Sequence, residues 1–157
     1  MEMEVRRLYS PAAGNVFTAV ELNAGEERKN SRCGEGFAVG AEGMFRLYYR
    51  LTPAVEIRSP ADGVLISAEK CGFRLRMGDG LELDVKLPGA AEYFLGTGEL
   101  APAGEPVCRL SREDFCRGRA GVVVTFADSR RITELHTFPG MKRAGSVAAE
   151  YSPRYED

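Results

Sequence analysis

Short runs in which apolar and polar residues alternate recur along the chain, at 16–20, 36–39, 44–51, 64–68, 73–77 and 81–87. Each is ended by Gly, Pro, Asp or Asn. A period of two sends successive side chains to opposite faces, so these runs predict half-buried β-strands. Two shorter stretches, 106–110 and 122–126, are further strands, and the second, VVVTF, is a β-branched run suited to burial on both faces. Helical signals are few. Ser111 followed by Arg112, Glu113 and Asp114 offers an N-cap with acidic first-turn residues, and Gly118 can stop the chain, which predicts a short helix over 112–117. The stretch 128–135 has room for a second helical turn. From Pro139 onward no apolar period is sustained. Residues 1–138 therefore read as one domain and 139–157 as a tail, mobile unless Tyr151 or Tyr155 packs back.

The strongest internal signal is a repeat. Ser10, Pro11, Ala12 and Gly14 recur as Ser59, Pro60, Ala61 and Gly63 at a constant offset of 49, and each copy leads into a strand. Pro fixes the entry to a turn and Gly can take the positive φ that a tight corner needs. Each copy thus predicts a strand, a corner and a returning strand, and two such units facing each other close a small antiparallel sandwich.

Composition narrows the function classes. The chain has 157 residues, 44% of them hydrophobic and 28% charged, which suits a single globular domain. Lys and Arg number 21 against 23 Asp and Glu, a balance without the broad basic field of nucleic-acid binding. No apolar run approaches the roughly 18 residues of a membrane span, and the start, MEMEVRRLYS, lacks a signal-peptide core. A cytoplasmic location is expected. Cys33, Cys71, Cys108 and Cys116 form no CxxC pair, so free thiols are expected, with no metal and no cofactor. His136 is the one histidine, which excludes any mechanism that needs two imidazoles.

Five segments, in order, resemble one family. LYSPAAGNV is similar to its APVSGxV opening and CGEGFAV (33–39) to its GDGIAI segment. SPADGVL (59–65) is similar to its APVDGxV, GELAPAGEPV to its EGDxVKxGxPL, and GVVVTFADSRRITEL to its TPVVVTNxxEIxxL. That family is the glucose-type IIA component of the bacterial phosphoenolpyruvate-dependent sugar phosphotransferase system. The resemblance runs from about Leu8 to Leu135. It implies an all-β fold, an antiparallel β-sandwich of the duplicated hybrid (barrel-sandwich) type with one or two short helical turns. It also implies protein partners belonging to that phosphotransferase system, or a regulator. The stretch 44–57 is extra relative to the family pattern and is expected to lengthen a hairpin.

The resemblance lapses where the family does its chemistry. Its phosphoacceptor histidine lies in an ILIHxG strand, and a supporting histidine lies in a TKHAIGL segment. GLELDVKLPG puts Lys86 at the first position and EKCGFRL puts Cys71 at the second. Neutral imidazole attacks with one nitrogen while the other is held, whereas an ammonium group has no lone pair to attack with. By alternation Lys86 shares a face with Glu82 and Asp84, a solvated polar face. Cys71 is in register with Phe73, Leu75 and Met77, which predicts a core position, although a thiolate is chemically able to accept a phosphoryl group. His136, in ELHTF, reads as a surface side chain. Lys70 in SAEKCG lacks the AMKM or DKA context of biotinyl and lipoyl carriers, and one histidine cannot furnish the ligand set of lysostaphin-like zinc peptidases. The expected function is that of a phosphotransferase-type IIA scaffold unable to carry phosphate on histidine, a pseudoenzyme acting as a non-catalytic protein-binding or regulatory module. Phe37 and Phe73 are its first candidate docking residues. The alternative is an active phosphocarrier with an unusual acceptor, Cys71 or His136.

Overall fold

The computed structural model describes residues 4–18 and 35–154. In chain order its elements are β1 (Arg6–Tyr9), β2 (Gly14–Thr18), β3 (Gly36–Gly40), α1 (Met44–Tyr48), β4 (Ala54–Arg58), β5 (Gly63–Glu69), β6 (Gly72–Met77) and β7 (Glu82–Lys86). There follow β8 (Glu92–Tyr93), β9 (Leu100–Ala101), β10 (Pro106–Ser111), α2 (Arg112–Phe115), β11 (Val122–Phe126), a 3-10 turn (Ser129–Arg131), β12 (Ile132–Thr137), β13 (Gly140–Lys142) and β14 (Val147–Pro153). All the strand pairs are antiparallel. One large sheet has the order β13-β2-β3-β11-β7-β6-β5-β9, and two three-stranded sheets have the orders β1-β14-β12 and β4-β10-β8. This is an antiparallel β-sandwich.

The sheets are related by an internal two-fold pattern. Exchanging β1, β2, β3, β11, β12, β13 and β14 for β4, β5, β6, β7, β8, β9 and β10 maps each small sheet onto the other and reverses the large one about its central β11–β7 pair. The two Ser-Pro-Ala corners sit where the halves interlock. Tyr9 N donates to Pro60 O at 2.7 Å, and the reciprocal bond runs from Arg58 N to Pro11 O at 2.8 Å. Ser10 Oγ donates to Ala12 O and Ser59 Oγ to Ala61 O, at 2.7 and 2.6 Å. Both serines are fully buried, so these bonds satisfy hydroxyls that would otherwise be costly to bury. Each corner is then braced by a second turn, with Gly145 N donating to Ser10 O and Gly104 N to Ser59 O, both at 2.9 Å. The two glycines have φ of 86° and 83°, in the left-handed region where a side chain would strain the backbone. The repeat is thus structural, and it extends further than the sequence string.

Alternating strand residues build one core, with Leu8, Phe37, Ile57, Leu65, Leu75, Leu83, Val107, Phe115 and Val122 all enclosed. The VVVTF strand is β11, paired on both sides, by β3 and β7. The short helix expected at 112–117 is α2, capped by the Ser111 hydroxyl, which accepts from Asp114 N. In the 128–135 stretch only 129–131 turn helically, and the rest is β12.

Two expectations are corrected. In the run 44–51, residues 44–48 form α1 and 49–51 a turn, rather than a strand or a longer hairpin. The run's apolar positions satisfy i, i+3, i+4, i+7 spacing as well as partial alternation, and Phe45 and Tyr49, four apart, are the two that meet the core. The stretch from Pro139 is not a tail, since β13 pairs with β2, and β14 is the middle strand between β1 and β12. Tyr151 packs back, with its ring 4.9 Å from that of Phe126. Tyr155 lies outside the described residues, as do Cys33 and the last two positions of the 16–20 run.

Candidate functional site

The antiparallel register of β6 and β7 sets Gly72 opposite Lys86, Phe73 opposite Val85 and Arg74 opposite Asp84. Phe73, Leu75, Leu83 and Val85 face the core, while Arg74, Glu82, Asp84 and Lys86 face outward. Lys70 and Cys71 form the turn between β5 and β6, and β6 begins only at Gly72. A side chain at Gly72 would meet Val85 O at 2.9 Å, so glycine lets the turn close down on β7. The turn is clamped from behind. Leu87 N donates to Cys71 O at 2.9 Å and Ala91 N to Lys70 O at 2.8 Å. The Tyr93 hydroxyl sits 2.6 Å from Glu69 O and 2.7 Å from Gly72 O. Burial is the main reason that this phenol holds its proton more firmly than usual.

These elements enclose a shallow depression of about 490 Å³ lined by Ser67, Glu69, Cys71, Arg74, Asp84 and Lys86, with Phe73 and Val85 in its wall. The thiol and the amine named from sequence are therefore brought together. Cys71 is exposed, which corrects the expected core position. It belongs to the turn, so strand alternation does not extend to it. Phe37 and Phe73 are buried rather than available for docking, because β3 is covered on both faces and Phe73 points inward from β6. His136 is exposed on β12, its ring 4.7 Å from Phe138, and it does not line the depression.

The charges around the depression are mostly engaged. Arg74 makes two bonds to Asp84, at 2.6 and 3.1 Å, and approaches Glu82 at 3.4 Å, while Arg76 grips Glu82 at 3.0 Å. Hydrogen bonding to Asp84 holds the Arg74 guanidinium above its usual range. These pairs are partly exposed and add little stability, about 0–1 kcal/mol each, but they orient the polar face. The groups left facing the opening are the Cys71 thiol, the Lys86 amine, the Ser67 hydroxyl and the Glu69 carboxylate. Among the described residues no group of three or more His, Cys, Asp or Glu is placed to hold a metal. Sequence reasoning passed over the Arg74–Asp84 and Arg76–Glu82 pairs, although RLRMGDGLELD places both mirror-fashion about the Gly78–Gly80 turn. Tyr93 gave no signal at all.

Thiol accessibility follows from this arrangement. Cys71 is expected to react with iodoacetamide in the native protein, whereas Cys108, fully buried and with its thiol pushed up to about 12 by burial, reacts only after unfolding. Peptide mapping after native and denatured alkylation distinguishes the two.

No protein-family model matches the chain, and no curated protein matches it. Among solved structures it is similar to the glucose permease IIA from Mycoplasma capricolum, with a TM-score of 0.69 at 17% identity over 94% of this chain and 96% of that one. The fold is that of a IIA β-sandwich. A novel M23 metalloprotease from the deep sea, pseudoalterin, aligns at a TM-score of 0.49 and 12% identity over 99% of each chain. Among the described residues no helix is long and apolar enough to cross a membrane.

Proposed function

We propose that this chain is a IIA-like member of a sugar phosphotransferase system that does not carry phosphate on histidine and instead works as a cytoplasmic protein-binding or regulatory module. In this reading Lys86 and Cys71 occupy the positions of the family's phosphoacceptor and supporting histidines. The observation that carries the reading is the depression between the β5–β6 turn and β7, which pairs a thiol with an amine and holds no imidazole. The sole histidine stands on a different sheet. Relay between proteins needs a nucleophile that attacks near neutral pH, and an ammonium group has no lone pair with which to do so. What remains useful is the surface around the clamped turn, a shallow polar area held in one shape by Tyr93.

Incubation with phosphoenolpyruvate, enzyme I and the histidine carrier protein, followed by intact mass measurement, tests the reading. The expected result is no mass gain. A gain of one phosphoryl group mapping to residue 71, 86 or 136 refutes it. The exposure of Cys71 favours one other reading, transfer to its sulfur. Loss of label in Cys71→Ser with retention in Lys86→Ala would establish that alternative.

A further inference from the structure

The segment that refused to be a strand presents two different sides. Tyr49, just past the end of α1, turns inward: it is buried, its ring lies 5.1 Å from Phe115, and its hydroxyl donates to Ala13 O at 2.6 Å. Phe45, four residues earlier, packs against the same core. Met44, Leu47, Tyr48 and Leu51, spaced i, i+3, i+4 and i+7, turn outward and are 75, 68, 65 and 86% exposed. Met141 on β13 adds another apolar tip, 68% exposed. Five of the eight large apolar side chains exposed among the described residues therefore belong to α1, the turn that follows it and β13, and Met44, Tyr48 and Met141 line one hollow. Scattered exposed apolar residues are ordinary, whereas a cluster of this kind marks a contact surface.

The charge on this face opposes that of the chain. Arg46 and Arg50 flank the stripe, and Lys142 and Arg143 line the hollow on its other side. No Asp or Glu occurs in 43–55 or 138–149, although the chain carries a net −2. Most other arginines sit in ion pairs. None of these four basic residues does so among the described residues. The acids that bound these two segments in sequence face other arginines, Glu42 meeting Arg119 at 3.9 Å, Glu56 meeting Arg58 at 3.7 Å and Glu150 meeting Arg7 at 3.3 Å.

We propose that the face formed by α1 and β13 docks onto an anionic membrane surface. Apolar tips with basic neighbours and an interfacial tyrosine match the lipid headgroup boundary, where side chains enter the acyl region while arginines meet phosphates. A partner peptide fits less well. The hollow of about 630 Å³ between α1 and β13 takes in Met44, Tyr48 and Met141 but not Leu47 or Leu51. A peptide lying in the hollow leaves those two leucines in water, and a bilayer meets them. The face lies at the β13 end of the large sheet, whereas the Cys71–Lys86 depression belongs to β5, β6 and β7 toward the other end. Membrane contact therefore leaves the depression open to other proteins.

Co-sedimentation of the full chain with large unilamellar vesicles tests the proposal, comparing phosphatidylcholine alone with phosphatidylcholine containing about one-third phosphatidylglycerol. Binding is expected only to the anionic vesicles and is expected to weaken as salt rises. Leu47→Ser with Leu51→Ser, and separately Arg46→Gln with Arg50→Gln, are each expected to weaken it by about tenfold or more while leaving thermal melting unchanged. The chain has no Trp, so Leu47→Trp provides a single reporter whose emission shifts to the blue on insertion. Failure to bind the anionic vesicles, or equal binding to phosphatidylcholine alone, overturns the proposal. So does a dimer in sedimentation velocity that the leucine substitutions abolish, which assigns the face to a second copy. Tighter binding of a fluorescein-labelled amphipathic peptide of Glu and Leu also overturns it, by assigning the face to a protein segment.

Discussion

Alanine at Gly40 is expected to leave little folded protein. Gly40 ends β3, which lies between β2 and β11 in the large sheet. A Cβ built there falls 2.0 Å from Arg119 O and 2.9 Å from Gly121 N. At Gly36, the other end of the same strand, it falls 1.9 Å from Val124 O and 2.7 Å from Thr125 Cα. The obstructing atoms are backbone, so no rotamer change relieves the overlap, and β11 must move away from β3 or lose its ladder bonds. β11 is also half of the central β11–β7 pair on which the two-fold pattern turns. The destabilisation is expected to reach about 3 kcal/mol or more, a large share of the stability of a domain this size. Urea unfolding of Gly40→Ala and Gly36→Ala measures it. Gly43 is a control, because its Cβ would meet nothing within 4 Å. Its φ of 60° alone predicts a smaller loss for Gly43→Ala, about 1 kcal/mol. Wild-type midpoints for the β3 variants would overturn the account of close strand approach.

The second large effect is expected at Asp79, in the turn between β6 and β7. Its backbone is at the surface, but its side chain is fully buried and is shared among three elements. One oxygen accepts from Leu81 N at 2.9 Å and the other from the Tyr151 hydroxyl at 2.7 Å, with Arg6 Nη1 at 3.6 Å. β1, β14 and the β6–β7 turn thus converge on one carboxylate. Asp79→Ala removes the acceptor and leaves a buried hydroxyl and a cation without it, a change expected to cost about 3 kcal/mol. Tyr151→Phe removes one donor and is expected to cost about 1 kcal/mol. A double-mutant cycle measured by thermal or urea unfolding is expected to give a clear coupling energy between the two positions. Additive costs would show that the Tyr151–Asp79 bond contributes nothing of its own.

Much of the sandwich was legible because strands bury one face and the chain writes that face every second residue. The corners were legible for a similar reason, since Ser, Pro and Gly each have a steric or hydrogen-bonding task there that few other residues perform. Reading failed where a single pattern satisfied two periods. MFRLYYRL alternates loosely, but Phe45 and Tyr49, four residues apart, are the pair that meets the core, and that spacing belongs to a helical turn rather than to a strand. It failed again at Cys71, where parity counted along β6 was carried one residue too far, into a turn that obeys no parity. The missed C-terminal strands have a different cause. β14 is paired on both sides, yet Ala148, Ala149 and Ser152 bury themselves without the bulky alternation that flags a strand. At the candidate site, the closeness of residues 71 and 86 followed from ordering the segments along a known scaffold. The Tyr93 clamp depends on a tertiary contact that no local spacing encodes.

The two interlocked halves differ in one respect, their continuity. One comprises β4 to β10 without interruption. The other is divided, its first three strands preceding that block and its last four following it. The block begins and ends side by side, with Ala54 registered against Ser111. A segment whose termini meet needs no stretch of connecting chain to be accommodated inside its twin. The present protein has the layout of an ancestral cassette copied once and spliced into itself, and a gene encoding 54–111 alone would be expected to yield a unit that seeks a second copy to complete its sheet.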